Sequence, residues 1–140
     1  MILDSSAIAS FFFRDSFTDK VIKIIEESNE DFLTLDLAFA EVSNVAWKRI
    51  VLFNDKQNAT LEQLRNALDF IEKLCKIVYV KDIAMEVINL AVREKLSFYD
   101  SAFLYLAIKE GTKLLTTDLK LFNKLNDKLK NYIIIPESKS

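Results

Sequence analysis

Short apolar runs alternate with longer stretches of helical periodicity through most of this chain. Residues 1–3 predict a strand that stops at helix-capping residues, and residues 7–13 predict the helix that follows. An apolar stripe over residues 18–28 predicts a second helix, capped by Thr18. Residues 32–35 predict the next strand, and Asp36 is expected to cap a long helix ending near residue 53. The polar residues 54–58 then predict a loop.

The second half of the chain continues this pattern. Three further strands are predicted from short apolar or β-branched runs at residues 77–80, 114–117 and 132–135. Helices fill the intervals between them, starting at a capping box of Thr60 and Gln63, at Asp82, at residues 97–100 and at Asp118. The helix that starts at residues 97–100 is expected to end at Gly111.

The predicted order of elements is β, α, α, β, α, α, β, α, α, β, α, β. Consecutive parallel strands need a helical crossover, so this order predicts an α/β fold, with a parallel sheet of about five strands and helices on both faces. The 140 residues fit one domain. We expect it to span residues 1–135, with residues 136–140 as a frayed tail.

Composition narrows the class of protein. About half of the residues are apolar (51%) and 29% are charged, as in soluble globular proteins. The net charge of -2 means that nucleic-acid binding would need a local patch and a metal ion. With Cys75 alone and no signal-peptide pattern, the expected location is the cytoplasm. Charged residues interrupt every long apolar stretch, so no membrane span is expected.

Acidic residues follow several of the predicted strands. Asp4 and Asp118 come directly after strands, as do Asp36 and Asp82. Ligands of open α/β sheets gather beyond the carboxyl ends of the strands, which predicts a site there. An aspartate between a strand and a helix is also what N-capping predicts, so position alone leaves both interpretations open.

Two further acids lie in apolar helical surroundings. Glu41 has mostly apolar or small neighbours, so its carboxylate needs solvent, a cation or a polar partner, and Asn44 could orient it. Asp100 heads a helix that is otherwise almost wholly apolar, where the free amide groups favour either a cap or a metal ligand. Four carboxylates without histidine favour a hard ion such as Mg²⁺ or Mn²⁺.

These acids stand in blocks that resemble the PIN domain family, and in particular the VapC-type toxins of prokaryotic toxin–antitoxin pairs. The four blocks, in order, are Met1-Ile2-Leu3-Asp4-Ser5-Ser6, Ala40-Glu41-Val42-Ser43-Asn44, Tyr99-Asp100-Ser101-Ala102 with Leu106-Ala107, and Leu114-Leu115-Thr116-Thr117-Asp118. Each block alone is weak evidence, whereas the ordered set spans nearly the whole chain.

The resemblance implies an Mg²⁺- or Mn²⁺-dependent endoribonuclease that is the toxin of such a pair. It implies RNA as substrate, a cognate antitoxin protein and a homodimer. The implied metal and catalytic residues are Asp4, Glu41, Asp100 and Asp118, with Ser6, Asn44 and Thr117 in supporting positions. Ser5 stands where the family often has threonine. An acidic residue sometimes found after the fourth acid is absent, which leaves a second metal less supported.

Basic residues close to the acids in sequence are candidates for contacting substrate phosphates: Arg14, Lys48, Arg49 and Lys120. Three consecutive phenylalanines at residues 11–13 cannot all face one side of a helix, so they indicate either an interface or a core packed on two sides. Two alternative functions remain open. One is a carboxylate-metal phosphatase or phosphoacceptor, and the other is a non-catalytic binding module.

Overall fold

The computed structural model describes residues 1–137, which form five strands with two helices between each strand and the next. The strands are β1 (Ile2–Leu3), β2 (Phe32–Leu35), β3 (Cys75–Val78), β4 (Leu114–Leu115) and β5 (Ile133–Ile134). The helices are α1 (Ser5–Phe12), α2 (Thr18–Glu27), α3 (Leu37–Val51), α4 (Gln57–Leu74), α5 (Val80–Glu94), α6 (Phe98–Glu110), α7 (Leu119–Lys124) and α8 (Asp127–Lys130).

The five strands form one parallel sheet in the order β3-β2-β1-β4-β5. In β1, which lies at the centre, Ile2 is in register with Leu33 of β2 and with Leu114 of β4. The chain builds outward from β1 through β2 to β3, then returns to the other side of β1 through β4. The predicted α/β class and parallel sheet are confirmed, and the strand order reverses between β1 and β4.

Consecutive strand residues point to opposite faces of the sheet, so a continuous apolar strand makes both faces apolar. Helices cover both of these faces. Leu3 and Leu115 pack in one buried cluster with α1 to α4. Their neighbours Ile2 and Leu114 pack in a second cluster with α5 to α8. All four side chains are fully buried, and each such burial stabilises the fold by roughly 1.5–3 kcal/mol. This core fixes the carboxyl ends of β1 and β4, which two of the candidate site residues, Asp4 and Asp118, follow.

Two predicted helix caps are wrong, and in one the aspartate caps a different helix. Asp36 makes no cap bond to α3, and its Oδ1 accepts the backbone N–H of Val80 at 2.9 Å instead. It therefore caps α5, 44 residues further along the chain. Asp82, the predicted cap of α5, lies inside the first turn of that helix, which Tyr79 precedes.

Two threonines predicted as caps lie within their helices. Helix α4 begins at Gln57, so Thr60 is inside it and its hydroxyl donates to the carbonyl of Lys56 at 2.9 Å. Thr18 is the first residue of α2, and its hydroxyl accepts the N–H of Asp15 at 2.8 Å. A threonine hydroxyl can bond nearby backbone groups in several ways, so the position of each threonine in the sequence did not fix where its helix begins.

The element bounds differ from prediction at several ends. Strand β3 begins two residues earlier than predicted, β4 and β5 contain two residues each, and α1 begins at Ser5. The short helix α8 was not predicted, and Asn126 caps it by accepting the N–H of Leu129 at 2.9 Å. Pro136 is buried, while residues 138–140 of the predicted tail lie outside the described residues.

The three consecutive phenylalanines pack within the domain. Phe13 is fully buried, and Phe11 and Phe12 place their rings 5.9 and 5.5 Å from that of Phe70 in α4. Packing against α4 thus accounts for the aromatic run. Among residues 1–137, no helix combines the length and the apolar character that crossing a membrane requires.

Candidate active site

The candidate site lies beyond the carboxyl ends of β1 and β4, where the strand order of the sheet reverses. Asp4 follows β1 directly, and Asp118 follows β4 after Thr116 and Thr117. Neighbouring strands whose connections leave in opposite directions open a crevice at their carboxyl ends. The topology therefore brings Asp4 and Asp118 to the same crevice, although 114 residues separate them in the chain.

Asp4 is the most buried acid of the site, with 7% of its surface exposed. Its Oδ1 caps α1 by accepting the N–H of Ala7 at 2.9 Å, and it also accepts the hydroxyl of Ser6 at 2.6 Å. Burial raises the pKa of Asp4 from 3.8 to about 6, although hydrogen bonds from Ser6, Thr116 and Ala7 oppose the rise. The nearby charge of Asp118 raises this pKa further.

Asp118 is also a helix cap, since its Oδ1 accepts the N–H of Leu121 at 3.0 Å. The two interpretations left open by the sequence are therefore compatible. A carboxylate has two oxygens, so an aspartate that caps a helix with one of them retains an acceptor for another ligand. Asp4 and Asp118 both have this arrangement, which also fixes the side-chain directions.

Glu41 reaches the site from α3. Its Oε1 accepts the hydroxyl of Ser5 at 2.6 Å, a contact between α3 and α1. Within residues 1–137 the hydrogen-bond partner of this carboxylate is Ser5 rather than the predicted Asn44, whose side chain is exposed one turn further along α3. The sequence indicated that Glu41 needed a polar partner, but a partner 36 residues away could not be found from helical spacing.

Asp100 lies in the first turn of α6, which Ser97 caps by accepting the Asp100 N–H at 3.0 Å. The carboxylate makes an ion pair with Lys124, at 3.3 Å between Nζ and Oδ2, and its side chain is 21% exposed. Lys124 lies at the end of α7, so the contact joins two helices. Sequence reasoning missed this lysine because its separation from Asp100 follows no helical or strand period.

The four acids line one cleft of about 120 Å³. Asp4 and Asp118 come from the sheet edge, Glu41 from α3 and Asp100 from α6. Ser5 and Ser6 also line it, and Phe103 and Leu121 contribute apolar wall. The cleft therefore collects carboxylates from positions throughout the chain, which is the arrangement that the ordered acidic blocks predicted.

The sequence matches the PIN domain family over residues 1–128. The chain belongs to the PIN domain family. It is 32% identical over 127 residues to Ribonuclease VapC3 of Pyrobaculum aerophilum, a match covering 89% of this chain and 93% of that protein. The structure resembles the crystal structure of PAE2754 from the same organism, with a TM-score of 0.64 and 28% identity over 89% of this chain and 85% of that one.

The donor set of this PIN domain suits a hard divalent cation, because it consists of carboxylate and hydroxyl oxygens. As the side chains lie, however, no three Asp, Glu, His or Cys residues within residues 1–137 are close enough together to hold an ion. Each acid is hydrogen-bonded or ion-paired to the protein instead. Two carboxylates 4 Å apart repel by about 4 kcal/mol at an effective dielectric of 20, a cost that a bound cation offsets. The residues present thus fit the ion in donor chemistry and in lining one cleft, whereas their side chains would have to move closer together to coordinate it.

Hydroxyl groups and backbone N–H groups connect the two strand ends. The Ser6 hydroxyl contacts that of Thr116 at 3.1 Å and accepts the N–H of Thr117 at 2.9 Å. The Thr116 hydroxyl thus joins that of Ser6 as a hydrogen-bond partner of Asp4, and Thr117, the predicted supporting residue, takes part through its backbone. This network keeps Asp4 and the β4 end of the PIN domain in register.

The four predicted phosphate-binding residues do not form one patch. Arg14 pairs with Asp19 at 3.0 Å, and Arg49 pairs with Asp55 at 3.4 Å. Lys120 is exposed on α7 and does not line the acidic cleft. Lys48 lines the groove next to that cleft. Of the four cations, Lys48 is thus the one placed for a substrate that enters the cleft.

Proposed function

We propose that this PIN domain is an endoribonuclease that hydrolyses RNA phosphodiester bonds with Mg²⁺ or Mn²⁺. The observation that carries the proposal is the convergence of Asp4, Glu41, Asp100 and Asp118 in one cleft at the reversal of strand order. Family membership and the likeness to Ribonuclease VapC3 support the reaction class.

Asp4 and Asp100 would be the principal ligands of the ion, and Glu41 and Asp118 would be further ligands or bases. When bound, a divalent cation neutralises phosphate charge and activates water for in-line attack. The Ser6 hydroxyl holds Asp4 in place, and the Ser5 hydroxyl holds Glu41. These contacts hold two of the four carboxylates in the lining of the cleft.

We further propose that the protein is the toxin of a toxin–antitoxin pair, acts in the cytoplasm, forms a homodimer and is bound by a cognate antitoxin protein. The likeness to Ribonuclease VapC3 supports the toxin assignment. Helix α5 exposes an apolar stripe of Met85, Ile88 and Val92, three residues with helical spacing that an association surface would cover.

One observation favours a second candidate, a PIN domain that binds but does not cleave. The Lys124 ammonium pairs with Asp100, so a cation of the protein already serves one of the proposed ligands. In an active nuclease this pair must open when the metal binds. In a binding module it would persist.

The test compares RNA cleavage by the wild type and by Asp4→Asn, each with Mg²⁺ or Mn²⁺ and with chelator. We expect cleavage by the wild type only with the metal, and a loss of at least a hundredfold in the variant. Asp36→Asn is the matched control, because Asp36 also follows a strand but caps α5 outside the cleft. Wild-type protein without metal-dependent cleavage, shown to be free of antitoxin, would support the binding module.

A further inference from the structure

A second groove of about 430 Å³ opens beside the acidic cleft and continues into it. The two share Ser5, Ser6, Glu41 and Tyr99 as lining residues. Beyond these, the groove has a mixed lining that includes Asn44 and Lys48. A polymer lying in the acidic cleft would therefore pass along this groove on one side.

One wall of the groove is a single face of α3. Glu41, Asn44, Val45 and Lys48 line it, and their spacing of i, i+3, i+4 and i+7 places them on one side of the helix. Glu41 and Lys48 are two turns apart, about 10 Å along the axis. The wall thus changes from acidic at the cleft to basic at its far end, with an amide between.

Tyr99 stands at the junction of cleft and groove. Tyr99 is 61% exposed, although it lies in the first turn of α6 and the residues that follow it from Ser101 onward are mostly buried. The ring of Phe98 meets it edge-on, at 6.1 Å between centroids and an angle of 88°. This contact restrains the Tyr99 ring while leaving aromatic surface open to a ligand.

We propose that this groove binds the single-stranded RNA that flanks the scissile phosphate, with one base stacked on Tyr99 and a phosphate bound by Lys48. The inference rests on the proposed function, because it takes the cleft as the position of the scissile phosphate. Bases stack on exposed aromatic rings only when they are unpaired, which selects single strands over duplexes. The Lys48 ammonium would attract a phosphate of the RNA backbone at the end of the groove away from the acidic cleft, where the carboxylates repel that phosphate least.

Binding tests this proposal without requiring cleavage. A fluorescein-labelled single-stranded RNA of mixed sequence would be titrated with protein in Ca²⁺, and its anisotropy followed at several salt concentrations. We expect Tyr99→Ala to weaken binding roughly 5- to 100-fold, and Tyr99→Phe to retain most of the affinity. Lys48→Gln should lower the salt slope by about 0.7, the change for one phosphate of a single strand.

Two controls match these changes. Tyr79 is an exposed tyrosine that lines neither cavity, and Lys109 lies at the opposite end of α6 from Tyr99. Tyr79→Ala and Lys109→Gln should bind RNA as the wild type does. In Mg²⁺, Tyr99→Ala should raise KM more than it lowers kcat, since stacking binds ground and transition states alike.

The possible outcomes separate this inference from the proposed function. The groove assignment would be wrong if the Tyr99→Ala and Lys48→Gln proteins bound RNA like the wild type, or if the wild type bound no single-stranded RNA. The groove would then be a candidate binding surface for a protein partner instead. The expected binding pattern without any metal-dependent cleavage would remove the nuclease function and keep the groove.

Discussion

The burial of Asp4 predicts that this carboxylate destabilises the metal-free protein at neutral pH. Its pKa is about 6 in the folded chain, against 3.8 for the ordinary group. A folded-state pKa that is raised means that the folded protein binds this proton more tightly than the unfolded chain does. The stability from Asp4 is therefore full below about pH 4 and is lost as the pH rises through about 6.

The magnitude follows from the shift of about two pKa units. Each unit corresponds to 1.36 kcal/mol, so the ionised group costs about 3 kcal/mol above pH 7. In Asp4→Asn the amide keeps the Oδ1 acceptor used by Ala7 and Ser6 but cannot ionise. Relative to the wild type, the variant should therefore gain up to about 3 kcal/mol of unfolding free energy between pH 4 and pH 7.5.

Urea denaturation in chelator at a series of pH values measures this difference directly. Taking the difference between the two proteins removes other titrating groups, such as Glu30, whose pKa is lowered by its hydrogen bond from Thr112. Asp31→Asn, at an exposed carboxylate, is the control and should show no such trend. A difference that stays constant within about 0.5 kcal/mol over this pH range would contradict this prediction.

Three further predictions concern single side chains. Ser101 has a buried hydroxyl without a hydrogen-bond partner among residues 1–137, so Ser101→Ala should raise the unfolding free energy by up to about 1 kcal/mol. The control is Ser10→Ala, which removes a buried hydroxyl that donates to a carboxylate and should lower the unfolding free energy by about 1 kcal/mol. If both variants changed the unfolding free energy by the same amount, the prediction for Ser101 would be wrong. Lys124→Gln should raise Mn²⁺ affinity up to about fivefold in calorimetry by releasing Asp100, and unchanged or weaker affinity would count against it. Burial raises the pKa of the Cys75 thiol to about 12, so a thiol reagent at pH 8 should react quickly only after unfolding.

The sheet was predictable because its signals are local. Apolar runs at residues 1–3, 32–35 and 114–117 marked strands, and each run ended at an aspartate. The alternation with helices then required parallel pairing. The lengths of the strands were less well predicted, since pairing with neighbours, and not apolar character, decides where a ladder ends.

The partners of the site residues were not predictable, because they depend on tertiary contacts. The hydroxyl of Ser5 bonds Glu41, and Asp36 caps a helix 44 residues away. Lys124 reaches Asp100 from a helix whose lysines look like an ordinary solvated face. Local patterns identify residues that need a partner, whereas only the packed fold determines which partner each one receives.

The most direct test of this account is Mn²⁺ binding, measured by calorimetry on the wild type and on four single variants. The account predicts binding by the wild type, and affinity reduced at least tenfold in Asp4→Asn, Glu41→Gln, Asp100→Asn and Asp118→Asn, with Asp36→Asn unchanged. A wild type that binds no Mn²⁺, or variants that bind it as tightly as the wild type, would contradict the claim that these four carboxylates share one ion.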